Sequence, residues 1–156
     1  MIFEHLIEVN DLTQALHSPL KREQLWFGLL CRAEDARPFL PGLEACHIIE
    51  RSDRLLVREL HFGAAVIRDR VQLQPMDWIR FETEAADGHA GGTLTITIEE
   101  PAPGALFLRF RYETSLSEAA GSDDARYVEF VRSAYHQSDL DTLDVIRSLA
   151  ASDRLH

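Results

Sequence analysis

From Cys46 to Leu116 apolar and polar residues alternate with a period of two, interrupted only by short clusters of turn residues. Six strands are predicted there: Cys46–Arg51, Arg54–Phe62, Ala65–Leu73, Trp78–Glu84, Thr93–Glu100 and Leu106–Leu116. The separators are Ser52-Asp53, Gly63-Ala64, Gln74 to Asp77, Asp87-Gly88 with Gly91-Gly92, and Pro101 to Gly104. None is long enough to hold a crossover helix, so consecutive strands must run antiparallel, as a meander.

The flanking segments complete the pattern. Phe3 to Val9 alternates as a half-buried strand, with Phe3, His5, Ile7 and Val9 on one face. Ser18-Pro19 suits an N-cap and first helical position, and Leu25, Trp26, Leu29, Leu30 and Ala33 recur at helical spacing through about Glu34. Pro38 and Pro41-Gly42 then leave room for one helical turn at Ala36 to Leu40. After Ser122, read as an N-cap, an apolar stripe from Tyr127 to Leu149 predicts a C-terminal helix roughly 40 Å long at 1.5 Å per residue. Ser138-Asp139 is the place where that helix would kink or restart, because both side chains compete for backbone hydrogen bonds.

A chain of 156 residues fits one domain, here residues 1–156, with a core that needs no staples. No apolar run reaches the ~20 residues of a membrane span, and the N-terminus lacks a basic, apolar leader, so a cytoplasmic location is expected. Cys31 and Cys46 have neither disulfide-framework nor metal-ligand spacing. The seven histidines show no metal-binding motif, and no phosphate loop or nucleophile elbow is present, so no cofactor and no metal are expected. A formal charge of −10, with arginines scattered among acids, disfavours nucleic acid as a partner.

The residues that carry function are the polar exceptions on apolar strand faces. Asp69 shares its face with Ala65, Ile67, Val71 and Leu73, and a buried carboxylate needs a partner. A two-residue turn at Gly63-Ala64, which a glycine in the first central position favours, puts Arg58 opposite Asp69 and gives an internal ion pair. A three-residue turn puts Glu59 there instead, so that two carboxylates share a proton usable in acid/base chemistry. Pairing across Ser52-Asp53 favours the second arrangement, since it groups Cys46, Ile48, Leu55 and Val57 with Glu59; a bulge in the long strand Arg54–Phe62 would reconcile the two. The pair is read either as a polar anchor in a ligand cavity or as a salt bridge that sets register. His5 and Tyr112 fall on inward faces, as proton carriers or as core residues with satisfied polar atoms, and Phe110 and Tyr135 are candidate apolar lining.

The chain also resembles a known family. The matching residues are Phe3-Glu4-His5-Leu6-Ile7-Glu8-Val9-Asn10, Arg22-Glu23-Gln24-Leu25-Trp26, Pro41-Gly42-Leu43, Arg58-Glu59-Leu60 with Phe62-Gly63, and Arg68-Asp69-Arg70-Val71. They continue with Gly92-Thr93-Leu94-Thr95, Glu99-Glu100-Pro101, Tyr112-Glu113-Thr114, and Ser133-Ala134-Tyr135 with Asp141-Thr142. Across nearly its whole length the chain looks like the AtaL-like family of the START-like (SRPBCC) superfamily, which includes the birch-pollen allergen type and polyketide cyclases. That resemblance implies an α+β helix-grip fold, a curved seven-stranded antiparallel sheet around a long C-terminal helix, with a cavity between them. Lys21 departs from the family's pattern of a hydroxyl residue capping the first helix. Superfamily members range from lipid carriers to cyclases and hydratases, so the resemblance implies a cavity rather than a reaction. Two functions fit: binding of a small hydrophobic or aromatic molecule, or a cofactor-free cyclase, dehydratase or isomerase with Asp69 or Glu59 as base and His5 or Tyr112 as acid. An exposed sheet edge makes a homodimer reasonable.

Overall fold

A computed structural model describes residues 1–11, 13, 18–85, 91–114 and 122–153. Its elements, in chain order, are β1 (Ile2–Glu8), α1 (Arg22–Glu34), β2 (Ala45–Ser52), β3 (Leu55–Phe62), β4 (Ala65–Gln74), β5 (Trp78–Thr83), β6 (Gly92–Ala102), β7 (Ala105–Thr114) and α2 (Ser122–Asp153). All seven strands join one curved antiparallel sheet in the order β1-β7-β6-β5-β4-β3-β2. The meander β2 to β7 is thus closed on one side by the N-terminal strand, which pairs with β7 across almost the whole chain.

The alternation read from the sequence decides which side of the sheet is buried. Leu56 on β3, Val71 on β4, Ile79 and Phe81 on β5, and Ile96 and Ile98 on β6 all face one core, as do Leu106, Leu108 and Phe110 on β7, while Leu60 on β3 packs in a smaller cluster with Ala36 and Leu43. The other side carries charged pairs such as Glu59 with Arg68. Helix α2 lies over the inner face, so the helix-grip architecture expected from the sequence is the one observed.

Register at the β3–β4 hairpin follows the glycine. Phe62 pairs with Ala65, so the turn is Gly63-Ala64, and Gly63 adopts φ +58°, a left-handed conformation that costs glycine little. Arg58 consequently faces Asp69, and Glu59 faces Arg68 on the outside. The competing expectation from the first hairpin is overturned by a bulge at Ile49: Ser52 pairs with Leu55, but beyond the bulge Ile48 pairs with Arg58 and Cys46 with Leu60. The extra residue, in β2 and not in β3 where the sequence placed it, returns the start of β2 to the same face as Arg58, and the turn itself is Asp53-Arg54 rather than Ser52-Asp53.

Helix α1 begins at Arg22, three residues after Pro19, and not at Ser18-Pro19 as the cap signal suggested. Its cap is half a capping box: the Gln24 side chain accepts the Lys21 backbone N–H at 2.8 Å, with no hydroxyl needed at position 21. The connection before it is pinned by the buried Asn10, whose side-chain amide donates to the carbonyls of Leu20 (2.8 Å) and Gly104 (2.9 Å) while its oxygen accepts from Leu20 N–H (2.9 Å). Helix α2 runs through Ser138-Asp139 without interruption. The expected Ser122 cap side chain, the Asp87-Gly88 turn and the last residues of the strand predicted to reach Leu116 lie outside what is described.

Candidate functional site

The inner face of β3 and β4 brings a buried guanidinium to a buried carboxylate. Arg58 and Asp69 are each 2% exposed, and the pair is bidentate, with Nε to Oδ1 at 2.8 Å and the second amino group to Oδ2 at 2.5 Å. The remaining amino group of Arg58 donates to the carbonyls of Arg32 (2.9 Å) and Ala33 (3.1 Å). Those carbonyls belong to the last turn of α1, where they have no partner within the helix and where its dipole favours a cation. Arg58 therefore seats α1 on the sheet as well as neutralising Asp69.

Beside it lies a second buried guanidinium. Arg32, on the inward face of α1, donates to the Thr142 hydroxyl of α2 at 2.7 Å. Its guanidinium carbon stands 5.1 Å from the Phe81 ring centre, and that of Arg58 stands 5.2 Å from the same ring. Burial first, and then the neighbouring Arg58, pull the Arg32 pKa down from its ordinary value.

The second polar cluster centres on a residue the strand faces could not reveal. Asp139, fully buried on α2, accepts a hydrogen bond from the Tyr112 hydroxyl through Oδ1, and its Oδ2 lies 2.8 Å from His5 Nδ1. Burial raises the Asp139 carboxyl above the usual aspartate range, against the lowering effect of these two hydrogen bonds. Tyr112 is pushed up too, by burial first and then by the Asp139 charge, so its phenol stays protonated. The Tyr112 ring stacks on Tyr135 with centroids 4.1 Å apart, and Tyr135 in turn meets Phe3 edge-on at 5.5 Å.

Between sheet and helix, Arg32, Arg58, Asp69, Tyr112 and Tyr135 border a cavity of about 490 Å³, within the range of small-molecule sites, while Asp139 and His5 stand behind Tyr112 outside its lining. Arg32, Arg58, Asp69 and Tyr112 contribute polar surface; Phe81, Leu94, Val131 and Tyr135 contribute apolar surface. Helix α2 is uneven along its length: Leu143, Ile146 and Ala150 of its C-terminal half are buried in the core, whereas Tyr127, Val131 and Tyr135 of its N-terminal half are less buried and line the cavity.

Of the residues singled out from the sequence, Arg58, Asp69, Tyr112 and Tyr135 line this cavity. Glu59 does not: it points to the outer face, near His61 at 3.1 Å and Arg68 at 3.7 Å, because the hairpin register turns it away. Phe110 is fully buried in the core below the cavity rather than in its wall. His5 reaches the site only through Asp139, with its ring edge-on to His136 at 4.8 Å. Arg32 and Asp139 were missed, yet each carries the same kind of signal as Asp69. Arg32 follows Leu25 and Leu29 on an apolar helical stripe, and Asp139 precedes Thr142 and Ile146 on another. A charged residue on such a stripe is an inward exception, read at helical spacing instead of strand spacing. Among the described residues there is no group of three metal-ligating side chains, and no helix is long and apolar enough to cross a membrane.

Fold and site together define a START-like helix-grip domain with a polar-edged hydrophobic cavity. The chain belongs to the AtaL family, described as acetylaranotin biosynthesis cluster protein L, which matches residues 7–153. No curated protein matches the sequence. Among solved structures, the di-domain aromatase/cyclase StfQ of the steffimycin biosynthetic pathway is similar at 15% identity with a TM-score of 0.70, over 99% of this chain. This chain spans about half of StfQ, 52% of its length. The Zhui aromatase/cyclase of Streptomyces sp. R1128 is 21% identical, with a TM-score of 0.57, over 100% of this chain and 96% of that one. The protein Ara h 8.0201 is 13% identical, with a TM-score of 0.62, over 97% and 98% of the two chains. At these identities the likeness is one of fold.

Proposed function

We propose that this protein binds a small hydrophobic or aromatic molecule in the cavity between the sheet and α2. One observation carries the reading: a space of about 490 Å³ is left open between Phe81, Leu94, Val131 and Tyr135, in a fold that could have filled it with side chains. Such sites are mostly apolar with a few placed polar groups, and here Arg58, Asp69 and Tyr112 take that part. The free thiols Cys31 and Cys46 fit a reducing compartment such as the cytoplasm. The unpaired edges of β1 and β2 offer a surface for a homodimer.

The test is binding of the neutral fluorophore N-phenyl-1-naphthylamine, followed by its emission. Wild-type protein is expected to bind it saturably at one site. Val131→Trp, which places an indole in the cavity, is expected to weaken binding at least tenfold with an unchanged melting temperature. Saturable binding that survives this substitution would place the site elsewhere.

A second reading, cofactor-free cyclisation or dehydration, is favoured by the Asp139 cluster and by the likeness in fold to two aromatase/cyclases. In that reading the base is not Asp69, since both its oxygens are occupied by Arg58. A proton would instead pass between a bound molecule and Asp139 through the Tyr112 hydroxyl, with His5 on the far side of the carboxylate. Mass spectrometry of small molecules that co-purify with the protein, before and after incubation with Asp139→Asn, separates the two readings. Binding alone leaves the molecule unchanged by either form, and catalysis converts it only in the wild type.

A further inference from the structure

The charges around the cavity do not balance evenly between its two arginines. Arg58 has a carboxylate on two of its nitrogens and two helix-terminal carbonyls on the third, so both its charge and its donors are satisfied. Arg32 is 6% exposed and equally cut off from water, yet its hydrogen-bond partner is the neutral hydroxyl of Thr142. Among the described residues it makes no ion pair: Asp69 belongs to Arg58, and Asp139 is engaged by Tyr112 and His5. A guanidinium has five N–H donors and stays protonated under all ordinary conditions. Burying one with a single protein acceptor and an aromatic face is costly unless something else compensates it, and Arg32 borders the cavity.

We infer that the cavity's ligand is an organic monoanion, an aromatic or alicyclic carboxylate, whose carboxylate takes the open donors of Arg32 while its ring lies against Tyr135 and Val131. This rests on the proposed cavity-binding function and narrows the ligand class. A single cation without an ion-pair partner among the described residues, which Asp139 and Asp69 reach only through space, matches a single carboxylate, and the planar fork of the guanidinium suits a bidentate carboxylate. Thr142 fixes the guanidinium from the helix side and Phe81 from the sheet side, so the ligand meets a positioned donor group rather than a mobile one.

The experiment compares 2-naphthoate with the neutral, nearly isosteric 2-naphthamide by calorimetric titration of the purified protein. Wild type is expected to bind naphthoate at least tenfold more tightly than naphthamide. Arg32→Met, similar in length and without charge, is expected to bring the two affinities together, and Arg32→Lys to keep part of the preference. Equal affinities in the wild type would overturn the inference and leave cavity binding standing, as would a preference that persists in Arg32→Met. Binding of neither probe, together with failure of the neutral fluorophore, overturns both. Should Arg32→Met not fold, Arg32→Lys takes its place, and a naphthoate preference undiminished in it overturns the assignment to Arg32.

Discussion

Arg58 is the residue in which stability and site geometry meet. It pairs with Asp69 in the interior and holds the C-terminal carbonyls of α1, so loss of either partner strands a buried charge. Asp69→Leu and Arg58→Met are each expected to cost about 3–5 kcal/mol in urea unfolding, and the double substitution Arg58→Met/Asp69→Leu distinctly less than their sum. Additive losses would contradict a coupled buried pair. Asp139 supplies a prediction with a pH sign. Its folded-state carboxyl is raised by burial, so the folded protein holds this proton more tightly than the unfolded chain. The stabilising contribution is full below the unfolded value of about 4 and is lost as pH rises through the raised folded value. Asp139→Asn, which keeps an acceptor for Tyr112 and cannot ionise, is expected to gain stability relative to wild type as pH rises from about 4 across that window. A difference that does not change with pH would show that the carboxyl is not raised.

At the scale of elements, two devices set how α1 meets the rest. Gly28 of α1 abuts α2 so closely that an added Cβ would lie 2.6 Å from both Cγ atoms of Ile146. Gly28→Ala is therefore expected to destabilise by about 1–3 kcal/mol, and Gly28→Ala in an Ile146→Ala background by clearly less, as measured by thermal unfolding. The buried Asn10 ties the segment before α1 to the β6–β7 turn through three hydrogen bonds. Asn10→Ala leaves the Leu20 N–H without its partner and is expected to cost at least about 2 kcal/mol. The elements themselves were legible to different degrees. Strand faces could be read because alternation is local; the β3–β4 register stayed open, because the Gly63 turn favoured Arg58 opposite Asp69 while the first hairpin favoured Glu59, and the structure decided for Arg58. The bulge at Ile49 could not, since nothing in Ile48-Ile49-Glu50 marks which residue drops out of the ladder. The α1 start was misplaced because Ser18-Pro19 is a good cap sequence that the chain uses as extended lead-in, held in place by Asn10.

For the molecule as a whole, the division of α2 into a packed half and a spanning half makes the cavity a soft region within a rigid sheet. Amides around Thr142 to Ile146 are expected to exchange slowly in hydrogen-exchange mass spectrometry, and those around Tyr127 to Tyr135 faster. A bound aromatic carboxylate should slow the second group selectively, and uniform protection along the helix would argue against a ligand-filled cavity. The sequence by itself determined the meander, the long closing helix and the inward placement of Asp69, because alternation, turn residues and helical stripes act over a few residues. Only the tertiary structure decided that Asp139 meets His5 and Tyr112, and that Arg32 meets Thr142 and, among the described residues, makes no ion pair. Those meetings join residues 134, 27 and 110 positions apart. They depend on how two helices settle on a curved sheet, and local periodicity sets which side of each helix turns inward without saying which side chains it meets there.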